Sequence, residues 1–242
     1  MDLEKIYKEV DLLLNRFDFN SLWPGFHKFR FALYNEKEAC LNYEIFPKPD
    51  SFYGNTAIQY NQEIIAIWNL ELDAIEAMDI LTANLVHEMF HCFQMENNEM
   101  RYPDDIELLF SHRTTEYCSL RFQDSKLLIK SYKHPKKEIL QSIAYVRKKM
   151  IEYNSQAASN EFKAETIEGT AEYVSSKALK ELSKKKYLKQ MEDYARKLMS
   201  LPLQLEPRRR SYYSGVFLYT LLENLAIDFK EFYGVSIFDN IL

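Results

Sequence analysis

The sequence predicts an α+β chain that is mostly helical, with a small N-terminal mixed sheet followed by a helical region. Three observations point there. Apolar residues alternate with period two between residues 28 and 69, the pattern of half-buried strands. From 74 to 230 they recur at helical spacing instead. Glycine and proline are scarce, five and seven of 242 residues, where average usage is about 7% and 5%. Turns are therefore few and elements long, which disfavours sandwiches and barrels of many short strands. We read residues 1–242 as a single domain, sheet-rich over 28–69 and helical over 74–230.

Each element has its own signal. Leu3, Ile6, Tyr7, Val10, Leu13 and Leu14 form an apolar stripe, so the chain begins with an amphipathic helix that ends before Trp23-Pro24-Gly25. Strands follow over 29–33, 40–46, 56–60 and 63–68, with Asn61-Gln62 as a tight hairpin between the last two and Pro47-Lys48-Pro49-Asp50 as a longer loop. Asp73 is a plausible helix cap, and helices are expected at about 74–97, 104–131, 136–157, 161–182, 186–199 and 211–230. Breaks fall at Arg101-Tyr102-Pro103, at His134-Pro135 and across 200–210, where Pro202 and Pro207 sit. The lysine-rich stretch 177–197 reads as a solvated helix face.

Composition excludes several function classes. Thirty-one basic and 36 acidic residues give a net charge of −5, so there is no whole-chain basic footprint for nucleic acid or an anionic membrane. No apolar run approaches the ~18 residues of a membrane span. Cys40, Cys92 and Cys118 are sparse, odd in number and without C-x-x-C spacing, and the N-terminus is acidic and amphipathic rather than signal-like. A reducing, cytoplasmic setting is expected. Nothing here sets an oligomeric state.

The chemistry concentrates on the expected helix at 74–97. His87-Glu88-Met89-Phe90-His91 is an H-E-x-x-H, and Asn84, His87, His91 and Gln94 share one polar stripe on a helix otherwise apolar nearly all round. Imidazoles at i and i+4 can offer two nitrogens to one metal at about 2.0–2.1 Å, the length zinc prefers. A catalytic zinc wants a third protein ligand and one open position for water. Glu88 would then take the proton of that water as it attacks a carbonyl.

Glu165, Glu168 and Glu172 make an acidic stripe at i, i+3 and i+7, which costs stability unless a cation sits opposite. Gly169 within that helix costs roughly 1 kcal/mol relative to alanine, which suggests close backbone approach beside Glu168. Glu116 in Arg113-Thr114-Thr115-Glu116-Tyr117 is a rival third ligand, nearer in sequence to His91, with His112 one turn before it as a partner or a solvent-facing residue. His27 and His134 have no motif around them and read as structural or exposed.

An H-E-x-x-H followed by Glu168-Gly169-Thr170-Ala171-Glu172-Tyr173 resembles the gluzincin branch of zinc metallopeptidases, which includes thermolysin and the aminopeptidase N family. The resemblance implies a zincin-like fold, a bound Zn2+ held by His87, His91 and Glu168, and Glu172 as a support for the first histidine. Ser211-Tyr212-Tyr213-Ser214-Gly215 resembles the family's tyrosine segment, which makes Tyr212 the expected oxyanion stabiliser. Arg208-Arg209-Arg210 before it could bind a substrate carboxylate or be solvated. Two features depart from the family. Gly54-Asn55-Thr56-Ala57-Ile58 lacks the acid that grips a substrate amino terminus in the aminopeptidases, and residues 92–167 make a gap longer than the family's, which must hold two extra helices. The expected partner is a peptide or protein substrate, its backbone held by β-addition to an edge strand at 55–60. The alternative is a zincin-like binding or regulatory module without turnover, against which Glu88 and Tyr212 argue, since neither is needed to hold zinc.

Overall fold

The structure is a computed structural model that describes residues 2–72, 77–110 and 113–229. It is an α+β chain with a five-stranded mixed sheet and a predominance of helix. By internal contacts it comprises two compact units, residues 1–99 with 174–187, and residues 100–173 with 188–242.

In the first unit, α1 (Leu3–Leu14) starts at Asp2, whose carboxylate accepts from the Lys5 amide at 3.0 Å. Its stripe of Leu3, Tyr7, Val10 and Leu14 is buried, and Tyr7 stacks on Phe31 with ring centroids 4.2 Å apart. A short turn of helix, α2 (Phe19–Leu22), leads to the sheet. The strands are β1 (Arg30–Tyr34), β2 (Glu38–Leu41), β3 (Glu44–Pro47), β4 (Thr56–Tyr60) and β5 (Glu63–Asn69), in the order β3-β2-β1-β5-β4. Only β1 and β5 pair parallel. The strand β4 lies at the edge of the sheet, as the expected β-addition would require.

The Asn61-Gln62 hairpin is present, both residues left-handed at φ 48° and 68°. The expected strand over 40–46 is instead two strands, because Asn42 and Tyr43 also turn left-handed at φ 50° and 67°. Cys40 pairs with Ile45 across that turn, so the alternation of side chains runs on without a break and hides it. Helix α3 (Met78–Glu96) packs on β1, β4, β5 and α1. The expected cap Asp73 lies outside the described residues.

The second unit is helical. The expected helix at 104–131 is divided into α4 (Asp105–Leu109), capped by the Asp104 carboxylate, and α5 (Thr115–Lys133), capped by the Thr114 hydroxyl. The next, α6 (Lys137–Tyr153), stops earlier than 157 because Asn154 leaves the helical region at φ −155° and caps α7 (Ser155–Ala164), accepting from the Ala157 amide at 3.0 Å. Helix α7 runs into a π-helical turn over Glu165–Gly169 and on into α8 (Thr170–Leu182).

After α9 (Lys184–Leu198) come α10 (Leu201–Gln204) and α11 (Pro207–Asn224). The break expected across 200–210 lies between α9 and α11, and Pro202 and Pro207 each stand in the first turn of a helix, where a backbone amide would have no intrahelical acceptor. Helix α11 ends at 224 rather than 230. Ala226 turns left-handed at φ 52°, and the Ile227 amide donates to the Leu222 carbonyl at 3.0 Å. This is a Schellman closure without its usual glycine, which is why the sequence did not announce it. Among the described residues no helix is long and apolar enough to cross a membrane.

Candidate metal centre

On α3 the spacing of the motif does what helical geometry requires. His87 and His91 lie one turn apart with their Nε2 atoms 3.1 Å from each other. Two bonds of 2.0–2.1 Å at a tetrahedral angle place their donor atoms about 3.3 Å apart, so the pair is set for a single ion. His91 Nδ1 lies 2.7 Å from Gln94 Oε1. An amide oxygen only accepts, so Nδ1 carries the hydrogen and Nε2 presents its lone pair. The sequence places Gln94 on the polar stripe without giving it this role. Its position three residues after His91 was the available signal.

Glu88 is buried. It stands close enough to Cys92, one turn on, that burial and the Glu88 carboxylate together push the Cys92 thiol up. That thiol stays protonated and is no nucleophile.

In the second unit the π-helical turn meets α11 at two glycines. A Cβ placed at Gly169 would stand 2.8 Å from the Gly215 Cα and 3.0 Å from the Ser211 carbonyl oxygen. One at Gly215 would stand 2.3 Å from the Gly169 Cα. The close approach expected beside Glu168 is therefore real, and its partner is the glycine of the Tyr212-x-x-Gly215 segment. A π turn inside a helix is frequently found at a functional site. Here it carries Glu168, buried, with Arg208 Nη2 donating to its Oε1 at 2.6 Å.

Arg208, Tyr212 and Gly215 recur at i, i+4 and i+7, so they share one face of α11. Tyr212 also lies within electrostatic range of Arg208. Tyr213 points elsewhere. Its ring lies 4.5 Å from that of Tyr194 and 5.2 Å from Lys197 Nζ.

The acidic stripe finds three different partners. Glu165 accepts from Arg147 at 2.5 Å and from the Ser214 hydroxyl, so the cation it needed is an arginine. Glu168 meets Arg208, and Glu172 accepts from the Tyr194 hydroxyl. The arginine triplet is solvated in part, with Arg208 and Arg209 exposed and Arg210 buried. Arg208 also reaches Asp105, Arg209 pairs with Glu206 at 2.9 Å, and Arg210 is buried against Asp124 at 2.5 Å.

Glu116 is exposed in the first turn of α5, where a carboxylate suits the helix dipole, and it is not among the metal-capable residues. His112 lies outside the described residues. His27 is half-exposed, 3.7 Å from Glu96, and His134 is exposed at the end of α5. His87 and His91 stand on α3 in the first unit, and Glu168 stands on the π-helical turn in the second. Two imidazoles and one carboxylate are the donor set of a catalytic zinc with an open position. Comparison with protein-family models, with curated proteins and with solved structures found no match.

Proposed function

We propose that the protein is a zinc-dependent peptidase of zincin-like, gluzincin type, with His87, His91 and Glu168 as the metal ligands. The observation that carries the reading is the His87–His91 pair on α3, whose Nε2 atoms lie 3.1 Å apart with Gln94 Oε1 on His91 Nδ1. The order H-E-x-x-H, then Glu168-Gly169, then Tyr212-x-x-Gly215 supports it. Zinc held there would polarise a carbonyl and bring the pKa of water to about 7.

The chain's own residues do the rest. Gln94 fixes the His91 tautomer. Glu88 accepts the proton of the attacking water and returns it to the leaving amine. Tyr212 donates its hydroxyl hydrogen to the oxygen that becomes negative. The edge strand β4 offers unpaired backbone groups for an extended peptide. The three free cysteines fit a cytoplasmic setting.

A second reading, a zincin-like binding or regulatory module without turnover, is favoured by the Arg208 guanidinium on the candidate third ligand. One experiment separates the two. The purified protein is expected to hold about one zinc and to cleave members of an amino-blocked peptide library, read by mass spectrometry. Glu88→Gln should keep the zinc and lose about 10²–10⁴-fold in rate. A zinc-loaded wild type that cleaves nothing establishes the second reading, and a protein unable to take up zinc at neutral pH removes both.

A further inference from the structure

Beside the candidate ligand Glu168 lies a cavity that its role does not explain. It has a volume of about 430 Å³ and an apolar floor of Leu108, Leu109, Leu205 and Pro207, within the ~300–1,000 Å³ typical of small-ligand sites. Three arginines, Arg113, Arg208 and Arg209, line it together with two carboxylate residues, Asp105 and Glu206. Those two carboxylates are already held, Asp105 by Arg208 and Glu206 by Arg209.

Arg113 differs from its neighbours. One of its Nη atoms donates to the Leu109 carbonyl at 2.8 Å, and among the described residues no carboxylate pairs with it. A guanidinium has five N–H donors in a planar fork matched to a carboxylate. Leu109, 65% exposed, keeps part of the apolar floor open to a ligand.

We infer that this cavity binds the C-terminal residue of a peptide, its apolar side chain on the leucine floor and its α-carboxylate on Arg113. An apolar surface and a cation side by side call for one residue that carries both an apolar side chain and a carboxylate. Only a chain terminus does so, because an internal aspartate or glutamate has no apolar side chain of its own. Arg208 lines the cavity and at the same time donates to Glu168, so the cavity adjoins the candidate metal ligand. The inference rests on the peptidase reading and narrows its substrates to peptides with a free, apolar C-terminus.

The test measures binding, not turnover, on the full-length protein before and after chelation. Two acetylated tripeptides ending in phenylalanine serve as probes, one a free acid and the other an amide. The free acid should bind about ten- to a hundredfold tighter, the strength of a charge-assisted hydrogen-bonded pair. Arg113→Met keeps the apolar stem on the surface and should bring the ratio close to one, while Arg113→Lys should keep part of it.

Equal affinities, no binding of either peptide, or a preference that survives Arg113→Met would each overturn the inference. So would a preference that vanishes on chelation, which would put the carboxylate on the metal and leave the metal reading intact. A preference that persists in a protein without zinc or cleavage would keep the cavity's assignment and remove the peptidase.

Discussion

Tyr212 and Tyr213 are neighbours in sequence that face different chemistry, and this makes them a matched pair of probes. Tyr212 shares a helix face with Arg208 and Gly215, whereas Tyr213 packs its ring on Tyr194. A donor to an oxyanion acts only when charge has developed, so its loss lowers kcat more than it weakens substrate binding. Tyr212→Phe should cost about 10²–10³ in kcat with zinc content unchanged. Tyr213→Phe should leave kcat alone. Steady-state kinetics with metal analysis checks both, and the reverse outcome would move the oxyanion role one residue along. At this scale the sequence was informative where helical spacing alone decides, as at His87, His91 and Gln94. It was silent on which arginine of the triplet 208–210 would be buried, because that depends on Asp124, 86 residues away in sequence from Arg210.

Among the elements, the crossing of the π-helical turn with α11 fixes where Glu168 stands. Gly215→Ala would put a methyl group 2.3 Å from the Gly169 Cα, a contact that only a backbone shift can relieve. Overpacking of this kind typically costs about 1–3 kcal/mol. The variant should melt several degrees lower and bind zinc more weakly, since separating the two helices moves Glu168 with Gly169. An unchanged Tm together with unchanged zinc affinity would show that the crossing does not set the site. Gly169 was readable in the sequence because a mid-helix glycine carries a penalty that needs a reason. Other features of the elements were hidden for local physical reasons. Asn42-Tyr43 turns the chain without disturbing the alternation, and Ala226 closes α11 where glycine would have signalled it. The π turn has no sequence pattern of its own, since the same residues satisfy an α-helical period.

For the molecule as a whole, the two units are held by different interiors, and acid should tell them apart. The sheet of the first unit closes on Ala32, Tyr34, Leu41, Phe52, Ile65 and Ile67, an apolar cluster with nothing to titrate in the accessible range. In the second unit, Arg121, Arg147 and Arg210 are buried against Glu161, Asp124 and Glu165. Burial pushes the Asp124 carboxyl up, but Arg147 and Arg210 outweigh it and hold the group below its ordinary 3.8. A carboxyl whose folded-state pKa lies below its unfolded value stabilises the fold at every pH above the unfolded value. That contribution is lost as pH falls through the folded one. As pH falls below the ordinary 3.8 and through the lower folded value, protonation of Asp124 leaves Arg210 and one side of Arg147 uncompensated in the interior, and removing one partner of a buried ion pair costs about 3–5 kcal/mol. Hydrogen exchange followed by mass spectrometry from pH 7 downward should therefore show the amides of α5, α6 and α11 opening before those of β1 and β5. Simultaneous opening, or earlier opening of the strands, would mean that the ion-pair network does not set the acid limit of the fold.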